Sequence, residues 1–305
     1  MVAPLTIALT GATGFVGGHV LELLEKRQMP VRALTRRPLD PKPNVEWVEG
    51  ALDKPESLRR LVAGADAVIH VAGAINAPSQ QAFEAANVTG TEAVIAAAKA
   101  VGVRRFVHVS SLAAREPQLS QYGASKARSE RVVEASGLDW SIVRPPAVYG
   151  PGDKETFELF KMARGGQIFM PPKGRLSLIH VDDLARLLVA LTAADAPTGL
   201  VLEPDDGRAG GWTHVEFGDA LGEAVGVPAR TISTPRFVLG LASKVDRLIR
   251  RDRAKLTADR VAYFCHPDWV ASPVLAVPPS LWQPEIDTRK GLKATAEWYS
   301  EHSWR

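Results

Sequence analysis

The sequence holds one cysteine, Cys265, in 305 residues. That excludes an intramolecular disulfide and fits a reducing compartment. Core packing beside Phe264 is the expected use of the thiol. Excess charge of one sign is also scarce: 37 Lys and Arg stand against 34 Asp and Glu, a net charge of +3. The one concentrated basic run, Arg247–Arg253 (RLIRRDR), reads as a solvated helix end, so no nucleic-acid partner is expected. No run approaches the ~18 apolar residues that a membrane helix needs, so no membrane span is expected. The N-terminus lacks a basic region followed by an apolar stretch and a small-residue cleavage site. These absences make a soluble, cytoplasmic protein the expectation. The seven histidines lack close ligand spacing, so no metal is proposed. Internal repeats and low-complexity tracts are missing too.

Apolar residues make up 46% of the chain, enough for one large domain or one domain with a smaller appendage. Through the first half, short β-rich runs alternate with helical patterns. Strands are expected at Thr6–Thr10, Val31–Thr35, Val45–Val48, Ala67–Val71, Phe106–Ser110 and Trp140–Arg144. Helices are expected at Phe15–Arg27, Pro55–Ala63, Gln81–Val101 and Gln121–Ala135. Runs such as AVIHVA and FVHVS are apolar with little alternation, as in strands of a parallel sheet covered by helices on both faces. The fold class is therefore α/β: a Rossmann-type, doubly wound parallel sheet. After Arg144 prolines and glycines break the rhythm, and a smaller mixed α/β substrate region is expected. Its clearest helices are Val181–Ala194, His214–Val225 and Arg289–His302. The expected division is a dinucleotide-binding domain over 1–150 and a substrate region over 151–305, with segments near 176–200 returning to the Rossmann core.

Three glycines punctuate TGATGFVG (10–17), directly after the first strand. Gly11 permits the sharp turn, Gly14 lets the backbone approach a pyrophosphate, and Gly17 lets the helix pack closely on the sheet. The helix N-terminus then offers unpaired N–H groups to the phosphates. A strand before and an amphipathic helix after favour a nucleotide cradle over a purely steric turn. A site for NAD usually ends its second strand with Asp or Glu. Here the strand ends Leu34-Thr35-Arg36-Arg37, and two guanidiniums suit a 2′-phosphate. NADP(H) is the preferred cofactor, with NAD kept as the second choice.

Downstream, Tyr122 and Lys126 form a YxxxK pair on one helix face. A nearby ammonium favours phenolate, so such a tyrosine can exchange a proton with a substrate oxygen while hydride moves to or from nicotinamide. Ser110 and Ser111, at a strand end just upstream, supply a hydroxyl to orient that oxygen.

These segments, with NVTGTEAVIAAAKAVGVRRFVHVSS (87–111), RPPAVYGPGD (144–153), IHVDDLA (179–185) and WQPEIDTRKGLKATAEWY (282–299), resemble the extended short-chain dehydrogenase/reductases, the NAD(P)-dependent epimerase/dehydratase group. The likeness is weakest over about 200–275. The resemblance implies that Tyr122 is the general acid/base, that Lys126 lowers its pKa and holds the nicotinamide ribose, and that Ser111 is the orienting serine, with Ser110 able to substitute. Asn87 matches the residue that opens the NVxGT helix and supports the active site; a simple helix N-cap is the other reading. Thr13, Phe15 and Val16 lie in the glycine turn, Leu52 matches the position near the adenine, and Ala72 and Gly73 match the loop after the fourth strand. Pro145 matches the backbone that passes the nicotinamide. The sequence departs from the family after the third strand, where Ala51-Leu52-Asp53 stands in place of Asp-Leu. The short stretch between Ser111 and Tyr122 is similar to an atypical branch that includes an accessory subunit of respiratory complex I, whose members can bind nucleotide without turnover.

The implied function is an NADP(H)-dependent oxidoreductase, epimerase or dehydratase acting on a hydroxyl or ketone carbon of a small-molecule substrate. The alternative is a non-catalytic dinucleotide-binding structural or assembly protein. A long helix such as Gln81–Val101 pairs across dimers in the superfamily, which leaves a homodimer open. Asp182 and Asp183 read as carboxylates at a helix N-terminus. Arg175 suits either an anionic substrate group or the surface. Tyr149 is expected to be buried, and Trp269, Trp282, Trp298 and Trp304 are expected to build the small region's core.

Overall fold

The computed structural model describes residues 4–250, 257–302 and 304, without the side chains of Arg247, Arg250 and Ala258. Residues 251–253 of the basic run, and the side chains of Arg247 and Arg250, therefore lie outside the described residues. In chain order the first elements are β1 (Ile7–Thr10), α1 (Phe15–Lys26), β2 (Val31–Thr35), β3 (Val45–Glu49), α2 (Pro55–Val62), β4 (Ala67–His70), α3 (Gln80–Glu84), α4 (Gly90–Ala100), β5 (Arg105–Val109), α5 (Gln121–Glu134) and β6 (Asp139–Val143). There follow β7 (Ala147–Tyr149), α6 (Lys154–Arg164), β8 (Gln167–Met170), β9 (Arg175–Leu176), β10 (Leu178–His180), α7 (Val181–Ala190) and β11 (Leu200–Leu202). The last are β12 (Trp212–Thr213), α8 (His214–Val225), β13 (Arg230–Ser233), α9 (Arg236–Arg250), α10 (Ala258–Phe264), β14 (Asp268–Trp269) and α11 (Thr288–Glu301).

Two compact units result: 1–144 with 184–202 and 277–282, and 145–183 with 203–276 and 283–305. The break after β6 thus falls at 144, and the short segment 277–282, with Trp282, belongs to the first unit rather than to the small region.

In the first unit seven strands form one parallel sheet in the order β11-β6-β5-β4-β1-β2-β3. Every residue of β1, β4 and β5 is buried, which requires cover on both faces and accounts for their unbroken apolar character. The covering helices bury one stripe each. In α1, Gly17, Val20, Leu21 and Leu24 recur at helical spacing. In α2, Pro55 sits at the first turn and Leu58, Leu61 and Val62 pack inward beside Val94, Ala98 and Phe106. The strand order reverses between β1 and β4, the place where an open parallel sheet leaves a crevice beyond its carboxyl ends.

The helix expected over Gln81–Val101 is present as one helical run from Gln80 to Ala100, but not as a regular α-helix throughout. Ser79 caps α3 by accepting from Ala82 N–H at 3.2 Å, a π-turn spans Ala85–Thr89, and α4 follows. A π-turn admits one extra residue and turns its side chains off the helical stripe, a device concentrated at functional sites. The helix expected over Val181–Ala194 ends at Ala190, where Thr192 and Ala193 bond back three residues rather than four.

The second unit is built from fragments. β7 pairs with β10, β8 with β13, and β9 lies between β12 and β14, in strands of two to four residues. Its core gathers Tyr149, Phe157, Phe160, Leu178, Trp212, Phe217, Leu221, Leu292 and Tyr299, with Trp298 and Trp304 packed against it. Trp269 instead meets Tyr263, with ring centroids 4.6 Å apart. Cys265 ends α10 half-buried rather than sealed in a core. Among the described residues no helix is long and apolar enough to cross a membrane.

Candidate active site

Gly11 has φ +78°, and a Cβ there would lie 2.8 Å from Ala72 N. A Cβ on Gly17 would lie 2.0 Å from Gly11 O. Backbone conformation and close approach therefore demand glycine at both positions. Gly14 is the N-cap of α1, is exposed, and offers no side-chain cap to the first N–H groups of the helix. Thr13 is exposed beside it, and Phe15 and Val16 are half-buried in the first turn. These residues fit a pyrophosphate, which needs N–H donors, a positive helix end and no intervening Cβ.

Arg36 and Arg37 leave the carboxyl end of β2 and are both exposed. Thr35 shapes that exit: its hydroxyl donates to Arg37 O at 2.7 Å. Leu52, past β3, packs toward Gly90, where a Cβ would lie 2.7 Å from the Leu52 Cδ1.

The α5 helix departs from the other helices of the sheet. Its buried face carries Ser125, Lys126, Ser129 and Glu130, so each polar group must find a partner. Ser120 starts the helix by accepting from Gly123 N–H at 2.9 Å. Gly123 must be small, since a Cβ would lie 2.5 Å from Ala113 O. Lys126 Nζ donates to Val109 O at 2.7 Å, at the carboxyl end of β5. Burial lowers its pKa from 10.5 to about 8, against the opposing pull of Glu130. Tyr122, one turn earlier, is half-buried, with its ring 6.2 Å from that of Phe83.

Asn87 is not a helix cap. It lies inside the π-turn, buried, with its Oδ1 accepting from Ala74 N–H at 2.6 Å. Its Nδ2 donates to Ala74 O at 3.0 Å and to Ser125 Oγ at 2.8 Å. Ser125 in turn donates to Tyr122 O at 2.8 Å. Gly73 faces this cluster: a Cβ there would lie 2.8 Å from Asn87 Oδ1 and 3.7 Å from Lys126 Nζ. Ala72, just before it, donates its N–H to Thr10 Oγ1 at 3.1 Å.

The two serines after β5 separate clearly. Ser110 is buried and donates to Glu130, which Arg144 pairs at 2.7 Å. Ser111 is half-buried and accepts from Ala113 N–H at 3.2 Å, which leaves its hydroxyl proton to be donated elsewhere. Gly73, Asn87 and Lys126 thus lie together past the carboxyl ends of β4 and β5, with Tyr122 one turn before Lys126 on α5 and Ser111 directly after β5. Pro145 is buried and opens the second unit.

Reading the sequence for motifs passed over a buried polar floor. His70 and His108 are register partners on β4 and β5, with rings stacked 5.5 Å apart. His70 bridges Thr10 Oγ1 at 2.7 Å and Thr91 Oγ1 at 3.0 Å, and Thr91 donates to Asn87 O at 2.7 Å. His108 Nε2 meets Ser129 Oγ at 3.1 Å. Burial first, then the Lys126 charge, holds both rings neutral, with the His70 pKa down to about 3 and that of His108 well below 6.5. A histidine inside each of two otherwise apolar strands was the available signal.

In the second unit, Arg175 donates through its Nη2 to Gly211 O at 3.1 Å and through its Nε to Gly210 O, so it clamps a turn. Asp183, 1% exposed, accepts from the N–H groups of Glu285 at 3.2 Å and Ile286 at 3.0 Å, so it ties a strap as well as starting a helix. Asp182 is exposed. Tyr149 is sealed off from solvent, and its burial raises its pKa.

A glycine-rich strand–helix turn at the switch point of a parallel sheet defines a dinucleotide-binding α/β protein. The family model described as NAD(P)H-binding matches residues 11–195. The chain belongs to that family, as an NAD(P)-dependent enzyme of the short-chain dehydrogenase/reductase kind. A ceramide reductase of Caulobacter vibrioides is 37% identical, over 98% of this chain and 95% of that protein. A 2-alkyl-3-oxoalkanoate reductase of Stenotrophomonas maltophilia is 29% identical, over 90% and 86%. Among solved structures, MoeE5 in complex with UDP-glucuronic acid and NAD shares the fold with a TM-score of 0.74 at 22% identity, over 97% of this chain and 99% of that one.

Proposed function

We propose that this chain is an NADP(H)-dependent ketoreductase of a long-chain lipid ketone, one bearing a carbonyl where ceramide carries its secondary hydroxyl. The reductases named above, one matched along nearly its whole length, favour net reduction over epimerisation. The observation that carries the chemistry is the buried Lys126 ammonium, anchored on Val109 O one helical turn beyond Tyr122.

NADPH, when bound, supplies the hydride. The glycine turn at 11–17 and the N-terminus of α1 would hold its pyrophosphate, and Arg36 and Arg37 its 2′-phosphate. In this reading Tyr122 donates its phenolic proton to the carbonyl oxygen. Lys126 stabilises the phenolate left behind and holds the nicotinamide ribose. Ser111 donates a hydrogen bond to the same oxygen. Asn87 positions the apparatus, since its amide links the Ala74 backbone to Ser125 and so to the Tyr122 turn. The balance is one ketone, one hydride and one proton giving one secondary alcohol.

The test is a panel assay on purified protein, following NADPH absorbance with the oxidised ceramide, a short water-soluble ketone and a UDP-sugar. Turnover fastest on the long-chain ketone supports the reading. Tight NADPH retention with no turnover on any compound would identify a binding protein instead. Paired titrations test the cofactor: NADPH should bind at least about tenfold more tightly than NADH, or ~1.4 kcal/mol, and Arg36→Ala with Arg37→Ala should erase that margin. A tenfold preference for NADH would overturn the phosphate clamp.

A further inference from the structure

The α9 helix leaves its apolar side in solvent. Phe237 is 77% exposed, Leu241 64%, Leu248 81% and Ile249 73%, with Val238 and Val245 also exposed. At 100° per residue these positions fall within roughly 120° of one another, a single stripe running the length of the helix. The opposite side is where the helix rests on its own unit: Leu239 and Asp246 are half-buried and Ser243 is buried. A stripe of this size, outward on a helix, marks a partner surface.

The chemistry of the partner follows from charge. Residues 236–250 hold four Lys and Arg against one Asp, while the rest of the chain is balanced, with 33 Lys and Arg against 33 Asp and Glu. By spacing, Arg236 and Lys244 follow one flank of the apolar stripe. Aromatic and aliphatic groups on one face with basic residues at its edge suit the boundary between acyl chains and anionic headgroups. No described helix can span a bilayer, so such a helix lies in the interface rather than crossing it.

We infer that α9 docks this protein on an anionic membrane surface, its apolar stripe inserted among the lipid chains and its basic flank on the headgroups. The inference stands on exposure and charge alone, and its test needs neither substrate nor NADPH. That separates its failure from failure of the proposed reduction.

The full chain is sedimented with vesicles of phosphatidylcholine alone and with vesicles in which roughly one lipid in three is phosphatidylglycerol. Partitioning onto the anionic vesicles should be at least about tenfold stronger and should fall as salt rises. Leu241→Glu with Leu248→Glu should abolish binding to both, with NADPH affinity and thermal unfolding unchanged. Lys244→Glu should weaken binding to the anionic vesicles only. The wild-type salt dependence tests the charge argument without any variant. No partitioning of the wild type, or partitioning untouched by the leucine substitutions, would overturn the proposal. So would a concentration-dependent dimer that those substitutions dissolve while vesicle binding is absent, since a second copy would then be the occupant of the stripe.

Discussion

The two units bury polar side chains to different ends. In the first, Ser110, Glu130, His70 and His108 bond to other side chains, Asn87 joins Ser125 to the Ala74 backbone, and Lys126 is anchored on the strand end at Val109 O. In the second, Asp153 accepts from Glu155 and Thr156, Asp183 from Glu285 and Ile286, and Tyr299 donates to Asp153 O at 2.5 Å. Those bonds end on backbone groups of loops and helix termini. One unit spends its buried polarity on holding a lysine and a helix face in place. The other ties short strands and straps that have little regular structure to hold them. Substitutions should therefore cost rate in the first and stability in the second.

The largest expected effect is on Lys126→Met. Turnover should fall by about 10²–10⁴-fold, while unfolding in urea shifts by no more than about 1 kcal/mol, because the ammonium already bears a desolvation cost. A parallel loss of stability would erase the contrast. Glu130→Ala leaves the Arg144 guanidinium without its carboxylate in a buried setting, with the Glu130 side chain 4% and that of Arg144 18% exposed. It should destabilise by about 3–5 kcal/mol and so marks the limit of the comparison inside the first unit. In the second unit, Asp183→Ala strands two N–H groups and should cost about 1–3 kcal/mol in urea. The turnover of its folded fraction should equal that of the wild type. A rate loss there would make Asp183 part of the chemistry.

The most gradual effect, spread over several pH units, is on pH dependence. The native state binds a proton at His70 only near pH 3, whereas the unfolded chain does so near 6.5. Stability is therefore full above pH 6.5 and falls on acidification toward 3, by up to about 1.4 kcal/mol per unit for that histidine. Urea titrations across the window should show the slope, and His70→Gln should reduce it.

Much of the first unit was legible because each signal repeats a strong physical rule. Apolar runs of four to six residues mark buried parallel strands, and the β2 strand matches its expected span of Val31–Thr35. The glycine spacing foretold a turn that two of its three glycines cannot leave. The π-turn at Ala85–Thr89 could not be seen, because one extra residue per turn barely disturbs an apolar periodicity over twenty positions. His70 and His108 were passed over for a different reason: a buried neutral histidine carries no spacing motif and is recognised only when its strand neighbour is known. In the second unit, strands of two or three residues fall below any pattern length, and α6 was hidden behind the Gly-Pro-Gly break before its Asp153 cap. The apolar side of α9 was not read at all, because it lies in the stretch where the family resemblance is weakest.

The most direct test is the rate of NADPH-dependent reduction of the long-chain ketone by Tyr122→Phe, with NADPH affinity measured on the same preparation. A loss of about 10²-fold or more with affinity nearly unchanged is the predicted result. Turnover at the wild-type rate without the phenolic hydroxyl would contradict the account.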